Sequence, residues 1–171
     1  MIETPYYHFS KVNRNGQIFL PRIPPDAKYA HQREDSTIKR ICCAPTIQGC
    51  LQASGSTKTR QAVFYIHKVI INDNANIILN KDIIKNKYVY DATVTGETWI
   101  CSPAMLKCVG AIKISQIGEL IKHNAKIKNG KDYIFHIRDY QYIILDMNEI
   151  KVRYSKFYKE ELPIEEFINI I

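Results

Sequence analysis

No apolar run of about eighteen residues occurs anywhere in the sequence, and its opening stretch MIETPYYHF has neither a basic segment nor an apolar one. Neither a membrane-spanning helix nor a secretory leader is therefore expected, which leaves a cytoplasmic location and no membrane partner as the reading. Paired C-x-x-C knuckles are missing as well. The five cysteines are an odd number and the five histidines are scattered singly, so the usual zinc spacings are excluded and no metal is expected. Cys42, Cys43, Cys101 and Cys108 sit among apolar neighbours in predicted strands and read as reduced, buried thiols. The seven glycines form no G-x-x-x-x-G-K-S/T, no G-x-G-x-x-G and no G-x-S-x-G, which removes the motifs of P-loop hydrolysis, dinucleotide-binding Rossmann units and nucleophile elbows. Internal repeats and low-complexity linkers are also lacking, so the chain reads as a single domain over residues 1–171.

What is present is an ordinary globular composition, 46% hydrophobic and 24% charged. A chain of this length buries roughly two thirds of the surface its unfolded form exposes, so it needs no disulfide or metal to fold. The formal net charge of +7 and the eleven tyrosines favour polyanions or stacked anionic ligands. The basic residues are nevertheless spread along the chain, as on a solvated surface.

Hydrophobic patterning predicts a strand-dominated α+β fold. TPYYHFSKV reads as a first strand, Arg14-Asn15-Gly16 as a turn, QIFLPRIPP as an extended piece stopped by Pro24 and Pro25, and residues 26–37 as a loop. Ile38 to Ala44 has a buried-strand pattern. Pro45 breaks it, and Thr46 stands as N-cap of a short helix carrying Ile47, Cys50 and Leu51, with Gly55 as its left-handed end. Residues 62–71, AVFYIHKVII, form the clearest strand, turned by Asn72-Asp73-Asn74. ANIILNKDIIKN fits strand or helix. YVYDATVTGETWIC and MLKCVGAIKI read as two strands joined across Ser102-Pro103, and ELIKHNAKIKNG after Gly118 suits a short helix or a turn. The remainder, DYIFHIRDYQYIILDMNEIKVRYSKFY, again reads as strands, with YIILDM buried on both faces. Pro163, Ile164, Phe167, Ile168 and Ile171 mark a terminal amphipathic helix.

Three polar residues stand out in apolar settings: His8 closing the first strand, Thr46 opening the helix, and Glu97 in VTGETWI. Each has a plain structural account, respectively an edge histidine satisfied by backbone, a helix cap, and a cross-strand partner for a lysine. Their order resembles the ADP-ribosyltransferase superfamily, in which a His or Arg on the first strand, a Ser, Thr or Tyr on or after a middle strand, and a Glu on a later strand line one NAD cleft. Thr46 and Tyr65 can each be aligned to the middle position. The arginine-modifying branch carries Glu or Gln two residues before the catalytic Glu, and Thr95 stands there instead. The resemblance, which spans residues 5–115, implies a split sheet with short helices and NAD as substrate. Glu97 would stabilise a ribosyl cation, His8 would bond a ribose hydroxyl, and Thr46 would orient ribose, carboxamide or phosphate. Tyr7 or Tyr65 would stack on nicotinamide, and Arg40 would meet the pyrophosphate. The acceptor would be a protein, a nucleic acid or water, and the size and lysine- and asparagine-rich composition fit a phage or mobile-element effector, toxin or anti-defence factor. The alternative is a protein without turnover that captures a nucleotide signal, a host protein or nucleic acid on its basic surface.

Overall fold

The computed structural model describes residues 1–25, 27, 33–53 and 62–145. In chain order these form β1 (Ile2–Ser10), β2 (Ile18–Phe19), β3 (Ile41–Cys43), α1 (Ile47–Ala53), β4 (Val63–Ile71) and β5 (Ile77–Ile78). The helices α2 (Asn80–Asn86) and α3 (Ala92–Thr95) follow, then β6 (Thr98–Ile100), β7 (Ala104–Lys126) and β8 (Asp132–Leu145). Strands dominate and helices are short, as the patterning predicts. Among the described residues no helix is long and apolar enough to cross a membrane. Gly55 and the terminal segment from Pro163 to Ile171 lie outside the described residues.

Two antiparallel sheets organise the chain. The larger runs β1, β4, β7, with β2 and then β8 along the far edge of β7; Ala111, for instance, pairs with Tyr65 on one side and Leu145 on the other. β4 lies in the middle because VFYIHKVII supplies apolar, β-branched or aromatic groups to both faces. Alternation sends Phe64 and Ile66 into a cluster with Leu51, Ile112 and Ile114, while Val69 and Ile71 join Ile41, Cys43, Ile100 and Leu106 from the opposite face. The second cluster is the seam between the sheets. A bulge at Val109, between the pairs Ile66 with Gly110 and His67 with Cys108, keeps β7 in register with both halves of β4.

The smaller sheet runs β3, β6, β5, with Trp99 paired to Cys42 on one side and Ile78 on the other. It is tied to β1 by reciprocal backbone bonds between Tyr7 and Ala44, 2.8 and 3.1 Å.

Three expectations from local pattern do not hold. YVYDATVTGETWIC is not one strand: residues 92–95 form α3, Gly96 takes a left-handed conformation at φ 67°, and the strand begins only at Thr98. The cause is distant in sequence, because the Asn80 side chain donates to the carbonyls of Ala92 (2.8 Å) and Glu97 (3.0 Å) and holds the turn closed. ELIKHNAKIKNG is not helical either, and the alternative turn is confined to its last residues, Lys128 to Gly130. Ile117, Leu120 and Ile121 have helical spacing, yet Gln116 to Lys126 pair with β8, which extends the hairpin beyond the end of β4. In YIILDM, Ile143 and Ile144 are 50% and 66% exposed, so that stretch is not buried on both faces. ANIILNKDIIKN resolves into both alternatives, a short strand followed by α2, which ends at Lys87 in a left-handed conformation.

α1 meets α3 at Gly49. A Cβ built there would stand 2.2 Å from the Thr95 carbonyl oxygen, a backbone atom with no flexible end to yield. Gly49→Ala is expected to cost about 1–3 kcal/mol, read as a lowered midpoint in thermal or urea unfolding.

Candidate functional site

The seam between β1 and the small sheet opens into a cleft of about 120 Å³, lined by His8, Phe9, Cys42, Cys43, Cys50 and Glu97 among others. Its walls follow from the fold. β1 carries His8 toward β3, and the imidazole Nδ1 sits 3.0 Å from the Cys42 carbonyl oxygen. Because a carbonyl only accepts, Nδ1 carries the proton and Nε2 keeps its lone pair. Burial pushes the His8 pKa down, and the Arg14 and Arg22 charges add to this against the bond to Cys42. The ring is therefore neutral near pH 7. Phe19 packs beside it at 5.3 Å between ring centroids.

Glu97 enters from the other wall, immediately after the left-handed Gly96, where a Cβ would stand 3.3 Å from the Pro45 ring. The residue is 5% exposed. Trp99 Nε1 donates to its Oε1 at 2.7 Å, and the Cys42 thiol bonds to the same carboxyl. Burial pushes its pKa up, while Cys42, Trp99 and the Arg40 charge pull the other way.

Behind the cleft a buried polar chain supports this wall. The Arg40 guanidinium lies 3.9 Å from the centre of the Trp99 ring. Its Nη1 donates to the carbonyls of Asp35 and Ile38, each at 2.8 Å, and its Nη2 pairs with Glu34. Tyr88 stacks on Trp99 at 5.5 Å between centroids.

His8 and Glu97 thus line one cleft, the juxtaposition the resemblance implies, although Glu97 precedes its strand instead of standing within it. The other candidates do not join them. Thr46 is exposed and caps α1, its Oγ1 accepting from the Gly49 N–H at 2.9 Å, which is the plain account of that residue. Tyr7 alternates away from His8, packs on the Leu51 cluster and lies under Lys68, whose Nζ is 4.0 Å from its ring centre. Arg40 is fully buried against Trp99 and Glu34, so it is turned away from any pyrophosphate in the cleft. Tyr65 is 0% exposed and packs with Ala111 and Leu145, so its ring faces protein on both sides.

Several site residues escaped sequence reasoning. The cysteines of the lining are one set; burial pushes Cys50 up to about 12 and Cys42 and Cys43 upward too, so all three are protonated thiols near pH 7. Asp91 is the other. It is 8% exposed, its Oδ1 has no hydrogen-bond partner, and it is pushed up to about 8 by burial first, then by the Glu97 and Glu34 charges. Its only signal was an acid within an aromatic and β-branched run, the same signal that singled out Glu97. Asp35 contrasts with it. Burial pushes Asp35 up, but bonds from the Thr37 N–H and hydroxyl, the Ile38 N–H and Lys128 outweigh that and bring it to about 2.

Among the described residues no cluster of His, Cys, Asp and Glu is arranged to hold a metal ion. No protein-family model, curated protein or solved structure matches the chain.

Two measurements follow. The folded pKa of Asp91, about 8, lies above its ordinary value of 3.8, so its contribution to stability is complete below that value and lost as pH rises toward 8. Urea unfolding across this window should show stability falling with pH, and Asp91→Asn should flatten the slope. Thr46→Ala should lower stability by about 1 kcal/mol without altering the pH dependence of Trp99 fluorescence, which reports Glu97.

Proposed function

We propose that the protein is an ADP-ribosyltransferase-like protein that binds NAD and either transfers ADP-ribose to a macromolecule or hydrolyses NAD, with Glu97 at the centre of its chemistry. The observation that carries this is the convergence of His8, from the first strand, and Glu97, from the start of a late one, on one cleft at the seam of two antiparallel sheets.

The chemistry follows from the groups present. When the bond between nicotinamide and ribose breaks, its electron pair leaves with neutral nicotinamide and positive charge develops on the ribose. An ionised Glu97 beside that carbon would stabilise the charge and accept from a ribose hydroxyl. Bonds from Trp99 and Cys42 fix the carboxyl in place before the ligand arrives. The free Nε2 of His8 would accept from a second hydroxyl, a role needing no titration. The capturing nucleophile, water or a side chain or base of a host protein or nucleic acid, then loses its proton. A cleft volume of about 120 Å³ takes a single ring, well below the ~300 Å³ at which whole-ligand pockets begin. The nicotinamide end would enter and the remainder of NAD would lie across the open rim.

A second reading rests on the same carboxyl. Both Trp99 and Cys42 already bond to Glu97, and burial holds its pKa up, which suits a protein that captures a nucleotide without turning it over.

Nicotinamide release from NAD by wild type and by Glu97→Gln, with circular dichroism on both, separates the two. Gln keeps an oxygen for Trp99, so the fold should persist. Loss of release by about a hundredfold or more is expected, and wild-type release should rise with pH as the raised Glu97 group ionises. An NAD-induced thermal shift without release would favour the binding reading. Absence of both release and shift would sink the NAD assignment.

A further inference from the structure

A second and larger cleft, about 330 Å³, lies between β8 and the layer formed by α1 and the start of α3. Gln52, Tyr90, Asp91, Tyr133, Phe135 and Arg138 all line it, and its volume falls within the ~300–1,000 Å³ of small-molecule sites. It shares only the Ala53 wall with the cleft of His8 and Glu97.

Three features of this cleft are unused by the chemistry above. Tyr90 meets Tyr133 and Phe135 edge-on, at 5.0 and 4.9 Å between centroids, and the latter two rings are within 6° of parallel. Together they make a rigid aromatic wall; Tyr133 is further held by Arg33, which donates to its hydroxyl at 2.7 Å. Asp91 lines the cleft with its Oδ1 buried and unpartnered, an omission that costs stability unless a ligand supplies the missing bond. Arg138 sets positive charge at the margin, one of its nitrogens bonded to the Gly118 carbonyl at 3.3 Å, with His136 beside it.

We propose that this cleft is a nucleotide-binding site, in which a base lies against the wall of Tyr90, Tyr133 and Phe135, presents its hydrogen-bonding edge to Asp91, and directs its phosphate to Arg138. Aromatic faces accept any base, and a guanidinium suits phosphate. The state of Asp91 selects among partners. Burial and the charges of Glu97 and Glu34 hold it at about 8, so near pH 7 it is a neutral acid that donates from one oxygen and accepts at the other, as the adjacent donor and acceptor of a base edge require. The charges of Glu97 and Glu34 act on it, and the cleft it lines is shared with Tyr90 beside it, Gln52 on α1, and Tyr133, His136 and Arg138 on β8. A simple cation would meet Arg138 and a protonated Asp91. A nucleotide satisfies all three features at once.

Calorimetric titration of the full chain with adenosine 5′-monophosphate and uridine 5′-monophosphate, with ribose 5-phosphate as control, tests this between about pH 7 and 9.5. Both nucleotides should bind at one site about tenfold or more tighter than ribose 5-phosphate. Affinity should fall about tenfold per unit above pH about 8, as Asp91 ionises, loses its donor and repels phosphate. Asp91→Asn cannot ionise, so its affinity should no longer fall with pH, whereas Asp91→Ala, which removes donor and acceptor alike, should weaken binding about tenfold at pH 7. Tyr133→Ala should weaken binding about tenfold, with near-ultraviolet circular dichroism confirming the folds. No binding of either nucleotide, equal binding of ribose 5-phosphate, or pH-independent binding by wild type would each overturn the proposal. Nicotinamide release and the NAD-induced thermal shift are read separately, so mononucleotide binding with neither of them sustains this cleft while removing the NAD reading.

Discussion

Arg40 carries its charge into the interior of the small sheet, and a guanidinium withdrawn from water has to be compensated there. The groups around it meet its two terminal nitrogens and its face, and leave Nε without a hydrogen-bond partner. Two backbone carbonyls, the Glu34 carboxylate and the face of Trp99 meet it. The same Trp99 then gives its indole N–H to Glu97. A single polar chain therefore runs from the 34–40 segment through the middle of the small sheet to the wall of the smaller cleft. Removing either end would leave a buried charge or a buried donor without a partner, which costs far more than the pair gains by forming. That constraint fixes where Glu97 stands, and the position of the cleft follows from it.

Burial alone does not decide how the acids of this region behave. Asp35 and Asp91 are both nearly inaccessible, yet one is held at about 2 and the other at about 8. The difference lies in donors. Asp35 closes a turn and collects the N–H groups of Thr37 and Ile38, the Thr37 hydroxyl and Lys128. Asp91 begins a four-residue helix without capping it, and faces two other acids. The pair sets opposing pH trends in stability, and it leaves Asp91 as the acid with a buried oxygen that no protein donor meets.

How much was legible in the sequence depended on the reach of each interaction. Thr46 was readable as a cap because its partner, Gly49, is three residues away. β4 was readable because an unbroken β-branched and aromatic run has few other uses. The segment before Glu97 was misread as strand because its shape is imposed by Asn80, from another element. The second half of β7 was misread because apolar residues three and four apart serve a helix or one side of a bulged hairpin equally well, and only β8 decides between them.

By itself the sequence determined the strand-dominated class of fold, the main strands and the helix cap, because alternation, turn chemistry and capping act within a few residues. Tertiary structure alone decided that Arg40 and Tyr65 are framework, that Tyr7 turns away, and that Asp91 waits at the base of a second cleft. A side chain's role depends on which distant surface closes over it. Strand order and the bulge at Val109 set that closure, and both are properties of paired backbones with no counterpart in a local run of residues.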